Sequence, residues 1–402
     1  MGWNTDNISS DLDLIILGMH AKKDNPELLK AQEMKIPVNS YPEFLYNQSK
    51  NKKRIVIAGS HGKTSTTSMV LHVLKSLNLD FDFMVGAQIK GFDTMVRLSD
   101  APIIILEGDE YFSSPIDMKA KFLWYKPHVA VITGIAWDHI NVYPTKEDYN
   151  KAFVDFIRSM ENDGCYFYYK GDPILNEIVN ASRSEVLREP YDTFNHKIVD
   201  GKTIAISNGK EYPLSVFGDH NIQNMQAARL VCNSLGINDD TFFTSISSFD
   251  GAANRLELIA ENKDKRVFKD FAHSPSKLKA TVQACNAQYP DSKLLAVMEL
   301  HTFSSLNKDF LSEYAHSLDE ADQAIVYYSP DVLKHKKLDD FSEEDVKEAF
   351  QNNNLIVINQ SEELKDKIKK LSDDYQTILL MSSGNFGGID LNDFANQLLT
   401  SQ

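Results

Sequence analysis

The sequence predicts an α/β protein in which helices alternate with mainly parallel strands. A short apolar strand at residues 55–58 leads into a glycine-rich loop and then a helical pattern. Further apolar strands alternate with helical patterns from about residue 54 to residue 235, and a second alternation follows a turn at residues 249–254. This alternation is typical of parallel sheets, whose ligands lie at the carboxyl ends of the strands.

Composition limits the functions that the chain can have. Its 402 residues are enough for two or three domains, and its 42% apolar and 25% charged residues are ordinary for a globular protein. The formal net charge of −15 argues against a general nucleic-acid binder, because neutralising phosphates needs a basic surface. No apolar run approaches the roughly 20 residues that span a bilayer. Three scattered cysteines and no signal-peptide pattern favour a cytoplasmic protein without a membrane partner.

The N-terminal region contains short elements only. Residues 12–17 predict a strand, residues 26–34 a helix, and residues 37–38 a second strand. The polar run 47–54 predicts a linker into the next strand. Two strands and one helix are too few for an independent domain, so the chain begins as though half a domain were missing.

The most informative motif is the loop after the strand at 55–58: Gly59, Ser60, His61, Gly62, Lys63, Thr64 and Ser65. Backbone N–H groups at the start of a helix favour an anion such as phosphate. Lys63 can place a charge at the outer phosphates, and the Thr64 hydroxyl can bind Mg²⁺. The standard pattern needs another glycine where Ile57 stands, so an ordinary tight turn before a helix remains an alternative.

Polar residues also follow two later strands of the same predicted sheet. Three carboxylates come just past the strand at 103–106: Glu107, Asp109 and Glu110. They suit a Mg²⁺ ligand, although a solvated acidic turn has the same sequence. After the strand at 129–133, His139 could bind a second metal ion with Asp138 orienting its ring, or the two could form a surface pair. If the three strand ends converge, Thr64, Glu107 and His139 lie together.

The remaining candidates lie at a helix start and in the second alternation. Asn221 and Asn224 open a helix, on faces able to meet a base edge or ribose, or they cap it. Arg255 suits a transferring phosphoryl group, and Asp270, near His273, suits ribose hydroxyls. Each of these residues also has an ordinary surface-pair interpretation.

Taken in order, these motifs resemble the Mur ligases, which are ATP-dependent amide ligases of peptidoglycan synthesis. The order is Gly-x-x-Gly-Lys-Thr, Glu-x-Asp-Glu, Asp-His-x-x-x-Tyr, Gly-x-His-Asn-x-x-Asn-x-x-Ala-Ala, Arg-Leu-Glu and Asp-Phe-Ala-His-x-Pro, and the similarity spans about residues 8–398. The resemblance implies three domains: a remnant of a Rossmann-like UDP-sugar-binding domain at 1–48, a central P-loop ATP-binding domain with a mainly parallel sheet at 49–249, and a Rossmann-like α/β C-terminal domain at 250–402.

The resemblance also implies a role for each candidate residue. ATP would contact Gly59, Ser60, His61, Gly62, Lys63, Thr64, Ser65, Asn221, Asn224, Arg255, Asp270 and His273. Mg²⁺ would be held by Thr64, Glu107 and His139, and catalysis would depend on Lys63, Glu107, His139 and Arg255. The implied reaction forms an acyl phosphate on a carboxylate, which an incoming amine then attacks. Side chains would mainly align the reactants and neutralise charge.

Two branches of the family fit the sequence. One joins L-alanine to UDP-N-acetylmuramate, and the other joins the tripeptide L-alanyl-γ-D-glutamyl-meso-diaminopimelate to the same acceptor. Residues 109–127, 248–258 and 381–389 are similar to the tripeptide branch, which we favour for this reason. Residues 299–304 are similar to the alanine branch, which is the alternative.

Two departures from the family pattern affect the prediction. The glycine-rich strand and turn that receive the UDP group are absent, so we expect a misplaced start or a truncated chain with an incomplete UDP site. Gly134 also stands where an asparagine is usual. A P-loop kinase or switch without ligase activity and a truncated binding module are the alternatives of other classes. Folylpolyglutamate synthetases share the central loop but lack the N-terminal remnant.

Overall fold

The computed structural model describes residues 2–137, 142–182, 185–251 and 256–400. The chain divides into two compact units, of which unit 1 comprises Met1–Asp192 and Gln223–Ser245, and unit 2 comprises Thr193–Ile222 and Ile246–Gln402. Residues 193–222 therefore group with the C-terminal part of the chain. The sheets of both units are mainly parallel, which confirms the predicted α/β fold class.

Unit 1 is built on a seven-stranded sheet. The strands before residue 192 are β1 Ile15–Leu17, β2 Val38–Ser40, β3 Lys53–Ala58, β4 Asp82–Met84, β5 Val96–Arg97, β6 Ile103–Glu107, β7 Phe112–Ser114, β8 Asp117–Ala120, β9 Val129–Ile132, β10 Cys165–Tyr169 and β11 Leu187–Tyr191. The large sheet has the order β11-β10-β9-β3-β6-β4-β5, and all its pairings are parallel except β4–β5. A parallel pair, β1–β2, and an antiparallel hairpin, β7–β8, stand beside it.

The helices of this part of the chain cover the sheet. They are α1 Pro26–Glu33, α2 Tyr41–Ser49, α3 Lys63–Ser76, α4 Lys146–Arg158 and α5 Pro173–Ala181, followed later in the chain by α6 Asp219–Ser234 and α7 Asp239–Ile246. Strand β3 is buried from its second residue to its last, as expected of a central parallel strand with both faces covered. Helix α4 contributes buried aromatic rings to the same core, including Phe156, which stacks on Phe122 at 4.6 Å between ring centroids.

Unit 2 contains a six-stranded sheet and a smaller antiparallel one. Its strands are β12 His196–Val199, β13 Lys202–Ser207, β14 Lys210–Leu214, β15 Glu257–Glu261, β16 Arg266–Asp270, β17 Leu294–Leu300, β18 Gln323–Tyr328, β19 Leu355–Ile358 and β20 Thr377–Met381. Its further helices are α8 Pro275–Gln288, α9 Pro330–Lys336, α10 Glu343–Phe350, α11 Ser361–Leu371 and α12 Leu391–Thr400. Strands β12–β14 form the antiparallel sheet, and the larger sheet has the order β15-β16-β20-β17-β18-β19.

The position of β20 determines where a ligand fits in unit 2. This strand is the last of its sheet in the chain, yet it lies between β16 and β17 and is parallel to both. Such a reversal of strand order opens a crevice outside the carboxyl ends of the strands. Asp270, at the end of β16, and the loop 382–388, after β20, lie at this edge.

The structure corrects one prediction and adds two features. The predicted linker at 47–54 is wrong, because α2 continues to Ser49 and β3 begins at Lys53. Helix α2 begins with a capping box between Ser40 and Glu43, which the sequence analysis overlooked. The antiparallel sheet β12–β14 was not predicted. Within the described ranges, no helix combines the length and the apolar character that crossing a membrane requires.

Candidate functional site

Three neighbouring strands of unit 1 bring the predicted phosphate-site residues to one edge. Strand β3 pairs with β6 on one side and with β9 on the other, all parallel. Ile57 is opposite Glu107, and Ala58 is opposite Ile132. The loops that follow these strands therefore lie side by side, as the sequence analysis expected of successive strand ends.

The loop after β3 needs glycine at two positions. Gly59 has φ +128°, and a Cβ atom there would lie 2.1 Å from Thr133 Oγ1. Gly62 has φ +79° and is the N-cap of α3, where a Cβ atom would lie 2.1 Å from Asn224 Oδ1. Both positions combine a left-handed backbone with close packing, so only glycine fits without displacement. Residues 59–64, which match only the shorter glycine motif, therefore form a specific turn before α3.

The segment after β9 holds this loop in place. Thr133 Oγ1 lies within hydrogen-bond distance of the carbonyl oxygens of Ala58 and His61, which share its one hydrogen, and Ser60 N donates to Gly134 O at 2.9 Å. Gly134 has φ +144°, a backbone conformation that strains any residue with a side chain. This conformation gives a local reason for glycine at a position where the resemblance leads one to expect asparagine.

Lys63 lies among carboxylates at the start of α3, with 13% of its side chain exposed. Its ammonium donates to Gly59 O at 2.6 Å and to Glu110 Oε2 at 2.7 Å. Burial by itself lowers the pKa of Lys63, but Glu110, followed by Asp109 and Glu107, raises it above its ordinary value. Lys63 therefore stays charged, which a phosphate-binding residue requires.

Thr64 and Glu107 form a second pair at the same edge. Thr64 Oγ1 donates to Glu107 Oε1 at 2.8 Å, and Glu107 Oε2 accepts Gly86 N–H at 3.0 Å. A hydroxyl and a carboxylate are the hard oxygen donors that Mg²⁺ takes, with phosphate and water oxygens completing its coordination. The donor set at Thr64 and Glu107 therefore fits Mg²⁺. Within the described residues, no group of three or more His, Cys, Asp and Glu side chains forms a protein-only metal site.

The three carboxylates after β6 have different surroundings. Glu107 contacts Thr64, and Glu110 is fully buried beside Lys63. Asp109 pairs instead with Lys121 at 2.6 Å in a partly exposed position. Glu107, the predicted Mg²⁺ ligand, thus lies beside Thr64, and the structure adds that Glu110 contacts the phosphate-loop lysine, which the sequence did not predict.

Helix α6 supplies residues to both units. Asn224, which the resemblance assigned to adenine, is buried in unit 1 with its amide beside Gly62. Asn221 belongs to unit 2, where its Nδ2 donates to Phe217 O at 2.9 Å. Gln223 was missed, although it lies between these two asparagines: its Nε2 donates to Thr133 O at 2.6 Å and so supports the phosphate loop.

In unit 2, Asp270 accepts two hydrogen bonds from its own unit. Leu256 N donates to Oδ1 at 3.2 Å and Thr281 Oγ1 donates to Oδ2 at 2.6 Å. His273 lies three residues further on, with Nδ1 2.9 Å from Phe271 O. Asp270 thus fixes the start of β15 and a position on α8, and its predicted ribose contact stays a prediction.

A second carboxylate at the same edge of unit 2, this one buried, was missed by the sequence analysis. Glu299, only 2% exposed, accepts Phe386 N–H at 2.8 Å and the Ser382 hydroxyl. Gly384 packs against it, since a Cβ atom there would lie 2.8 Å from Glu299 Oε2 and 2.7 Å from His301 Nδ1. Glu299 therefore organises the glycine-rich loop 382–388.

Two predicted catalytic residues, His139 and Arg255, lie outside the described residues, as does Asp138. The geometry of the site therefore rests on Lys63, Thr64 and Glu107. A cavity of about 450 Å³ lies elsewhere, at the amino ends of β16 and β20. Its lining includes Lys265, Arg266 and Asp373 but none of the predicted site residues, so it is separate from the strand-end chemistry.

Comparison with protein families gives two matches that together cover most of the chain. The model for the Mur ligase middle domain matches residues 57–232. The model for the Mur ligase, glutamate ligase domain matches residues 254–384. The first match contains the phosphate loop and the carboxylates after β6, and the second contains Asp270 and Glu299.

Curated relatives and solved structures agree with these matches. A UDP-N-acetylmuramate–L-alanine ligase of Clostridium kluyveri is 30% identical over 341 residues, covering 81% of this chain and 72% of the relative. The same enzyme of Aquifex aeolicus is 27% identical over 398 residues, covering 96% of this chain and 84% of the relative.

Among solved structures, the murein peptide ligase of Psychrobacter arcticus matches 100% of this chain and 88% of its own at 21% identity, with a TM-score of 0.62. The UDP-N-acetylmuramate-alanine ligase of Thermotoga maritima matches 99% and 86% at 21% identity, with a TM-score of 0.70. A MurF ligase of Thermotoga maritima in complex with ADP matches 98% and 96% at 16% identity, with a TM-score of 0.69. At these identities the structures show a common fold.

Proposed function

The chain belongs to the Mur ligase family, and from this premise we propose that it joins UDP-N-acetylmuramate to L-alanyl-γ-D-glutamyl-meso-diaminopimelate. As a member of this family the chain is an ATP-dependent amide ligase. The proposed reaction forms an acyl phosphate on the acceptor's carboxylate, which the tripeptide's amine attacks. The proposal includes a cytoplasmic location, because ATP and UDP-linked sugars are cytoplasmic, and the domain bounds 1–48, 49–249 and 250–402.

One observation supports the ATP chemistry more than any other: Lys63 and Thr64, adjacent at the start of α3, contact two different carboxylates. Lys63 bears the charge that would meet phosphate oxygens, and the Thr64–Glu107 pair offers hard oxygens to Mg²⁺. When bound, Mg²⁺ would supply neutralisation of charge on the phosphates. The backbone N–H groups at the helix start would orient the same phosphates.

The preference for the tripeptide has two supports. Residues 109–127 and 381–389 resemble the tripeptide branch, and the matched structures include a murein peptide ligase.

L-Alanine is the second candidate for the amine. The curated relatives described above are named as L-alanine ligases, and residues 299–304 resemble that branch. His301 lies beside Glu299, so this segment borders the same strand-end crevice.

The test is a comparison of amines with the full chain, ATP, Mg²⁺ and UDP-N-acetylmuramate. Phosphate release and the mass of the amide product are measured with the tripeptide and with L-alanine, and reactions without amine serve as the control. We expect kcat/KM for the tripeptide to exceed that for L-alanine about 100-fold, because buried polar groups reject a substrate that leaves them unpaired. The reverse preference would establish the L-alanine ligase. ATP binding without product from either amine would establish a P-loop protein that is not a ligase.

A further inference from the structure

A buried chain of hydrogen bonds connects Lys63 to helix α4. Glu110 Oε2 accepts from Lys63 Nζ at 2.7 Å, and Glu110 Oε1 accepts from the Tyr149 hydroxyl at 2.9 Å. The Tyr149 oxygen lies 2.7 Å from Ser60 Oγ, which accepts Ala136 N–H at 2.8 Å. Glu110 and Tyr149 are both fully buried. The phosphate loop is therefore linked at two points, Ser60 and Lys63, to one internal network.

The direction of these hydrogen bonds follows from the number of protons. Each hydroxyl has one hydrogen to donate. Tyr149 donates its hydrogen to Glu110, so Ser60 donates to the Tyr149 oxygen while it accepts from Ala136. The series of donors from Ala136 through Ser60 and Tyr149 therefore ends at the Glu110 carboxylate, which also accepts from Lys63. The arrangement requires a charged acceptor with two oxygens at this position.

We propose that Glu110 is a positioning residue for ATP, which holds the Lys63 ammonium at the phosphate loop, and that Tyr149 fixes Glu110 for this purpose. The inference rests on the proposed ATP-dependent function. The ammonium of Lys63 has three N–H donors. Within the described part of the chain, Gly59 O and Glu110 accept two of them, which leaves the third for a phosphate oxygen.

A purely stabilising role explains the network less well. Buried ion pairs lose solvation about as much as they gain from attraction, so they are weak contributors to stability. This pair lies one residue from the predicted Mg²⁺ ligand Thr64, at the end of the sheet where ligands bind. The hydrogen bonds of the pair restrict the position of the Lys63 ammonium, the charge that a phosphate group would contact.

The side chain at position 110 must carry a negative charge, and it must be correctly oriented. In Glu110→Gln, one carboxylate oxygen is replaced by an amide nitrogen, which can only donate. This nitrogen would face the donor of either Lys63 or Tyr149, so one of these hydrogen bonds would be lost. In Tyr149→Phe, the carboxylate charge remains but the hydroxyl that orients it is removed. The two variants therefore separate the charge of the acceptor from its orientation.

The experiment measures nucleotide affinity by calorimetry with the full chain and Mg²⁺, using a non-hydrolysable ATP analogue and ADP. We expect Glu110→Gln to weaken analogue binding about 30-fold and ADP binding clearly less, because Lys63 serves the outer phosphates. Tyr149→Phe should weaken analogue binding about 5-fold, the loss of one hydrogen bond. The double variant should match Glu110→Gln, because Tyr149 acts through Glu110. The control is Asp155→Asn, which removes a partly exposed carboxylate from the same helix.

Two results would overturn the inference. An equal loss of affinity for both nucleotides in Glu110→Gln would show general damage to the site, and losses that multiply in the double variant would show that Tyr149 acts independently. If Glu110→Gln fails to fold, Tyr149→Phe decides alone: unchanged discrimination between the analogue and ADP would contradict the inference. If the wild-type protein binds nucleotide but forms no amide, the proposed ligation is refuted. The measured nucleotide affinities of the variants would still test the role of Glu110.

Discussion

Lys63 in unit 1 and His220 in unit 2 are both partly buried bases close to carboxylates, but their pKa values are shifted in opposite directions. Burial lowers the pKa of Lys63, and nearby carboxylates, Glu110 first, raise it above the ordinary value. Burial also lowers the pKa of His220, and the opposing effect of Asp270 is too weak to reverse it. The first base is expected to be charged and the second neutral near pH 7.

The difference comes from what the carboxylates bind. Glu110 accepts directly from Lys63 at 2.7 Å, whereas both oxygens of Asp270 accept hydrogen bonds from Leu256 N and Thr281 Oγ1. Glu110 thus forms a direct ion pair with its base, whereas Asp270 opposes the effect of burial on His220 only through its nearby charge. In unit 1, Glu107 and Glu110 contact residues suited to Mg²⁺ and phosphate, whereas in unit 2 Asp270 and Glu299 accept hydrogen bonds that hold their own loops and helix α8.

The largest expected effect comes from Lys63→Met, which removes the cation from unit 1. The buried Glu110 would lose its ion-pair partner, and we expect the free energy of unfolding to fall by about 3–5 kcal/mol. ATP-dependent phosphate release should fall about 1,000-fold, because charge on the phosphates would no longer be neutralised. Urea denaturation and a phosphate assay measure the two effects.

The double variant Lys63→Met with Glu110→Gln is the matched control. It removes both charges, so it should recover most of the lost stability while phosphate release stays low. If Lys63→Met alone were as stable as the wild type, Glu110 would not depend on Lys63 and the contrast with His220 would be lost.

An intermediate effect is expected from the glycines that precede α3 and α6. Gly218 has φ +88° and a Cβ atom there would lie 2.5 Å from Ala284 Cβ, so Gly218→Ala must displace α8. We expect a loss of about 3 kcal/mol in stability. Gly62→Ala meets only the end of the Asn224 amide, which can rotate, so its loss should be about 1–2 kcal/mol.

Gly209→Ala controls for backbone strain alone. Gly209 has φ +75° with no atom within 4 Å of its Cβ position, and we expect a loss of about 1 kcal/mol. Chemical denaturation of the three variants gives the ranking. Equal losses for Gly218→Ala and Gly209→Ala would mean that the close contact with Ala284 costs nothing.

The smallest expected effect is a pH dependence that arises in unit 2. The folded-state pKa of His220 lies below its ordinary value of 6.5, so the unfolded chain binds more protons between these two values. Stability should therefore rise with pH through that window, and the urea midpoint should be higher at pH 7 than at pH 5. His220→Gln should reduce this difference. If the difference between the two urea midpoints is unchanged in this variant, the pH dependence arises from other titratable groups.

Much of the phosphate site could be predicted from the sequence because its elements are local. The strand, the two glycines and Lys63-Thr64 are contiguous, and the rule that parallel strands end at one edge brought Glu107 toward Thr64. The contact of Glu110 with Lys63 was not predicted, because the alternation of side chains stops where β6 ends at Glu107. Tyr149 is 39 residues from Glu110, and no local pattern connects them.

The antiparallel sheet β12–β14 shows a second limit. Its strands expose many side chains, with lysines at 197, 202 and 210, so they lack the apolar runs that mark the central strands. Sequence patterns detect strands that are buried on both faces more readily than strands at a surface.

The sequence by itself determined the α/β class, the phosphate loop and the family, because each depends on local features: short apolar strands, helical periodicity and contiguous motifs. Only the tertiary structure decided which carboxylate contacts Lys63, that Glu299 holds the loop 382–388, and that Asn224 packs against Gly62. These contacts join residues from different strands and helices. Their geometry depends on burial and packing across the sheet, which no single segment of the chain encodes.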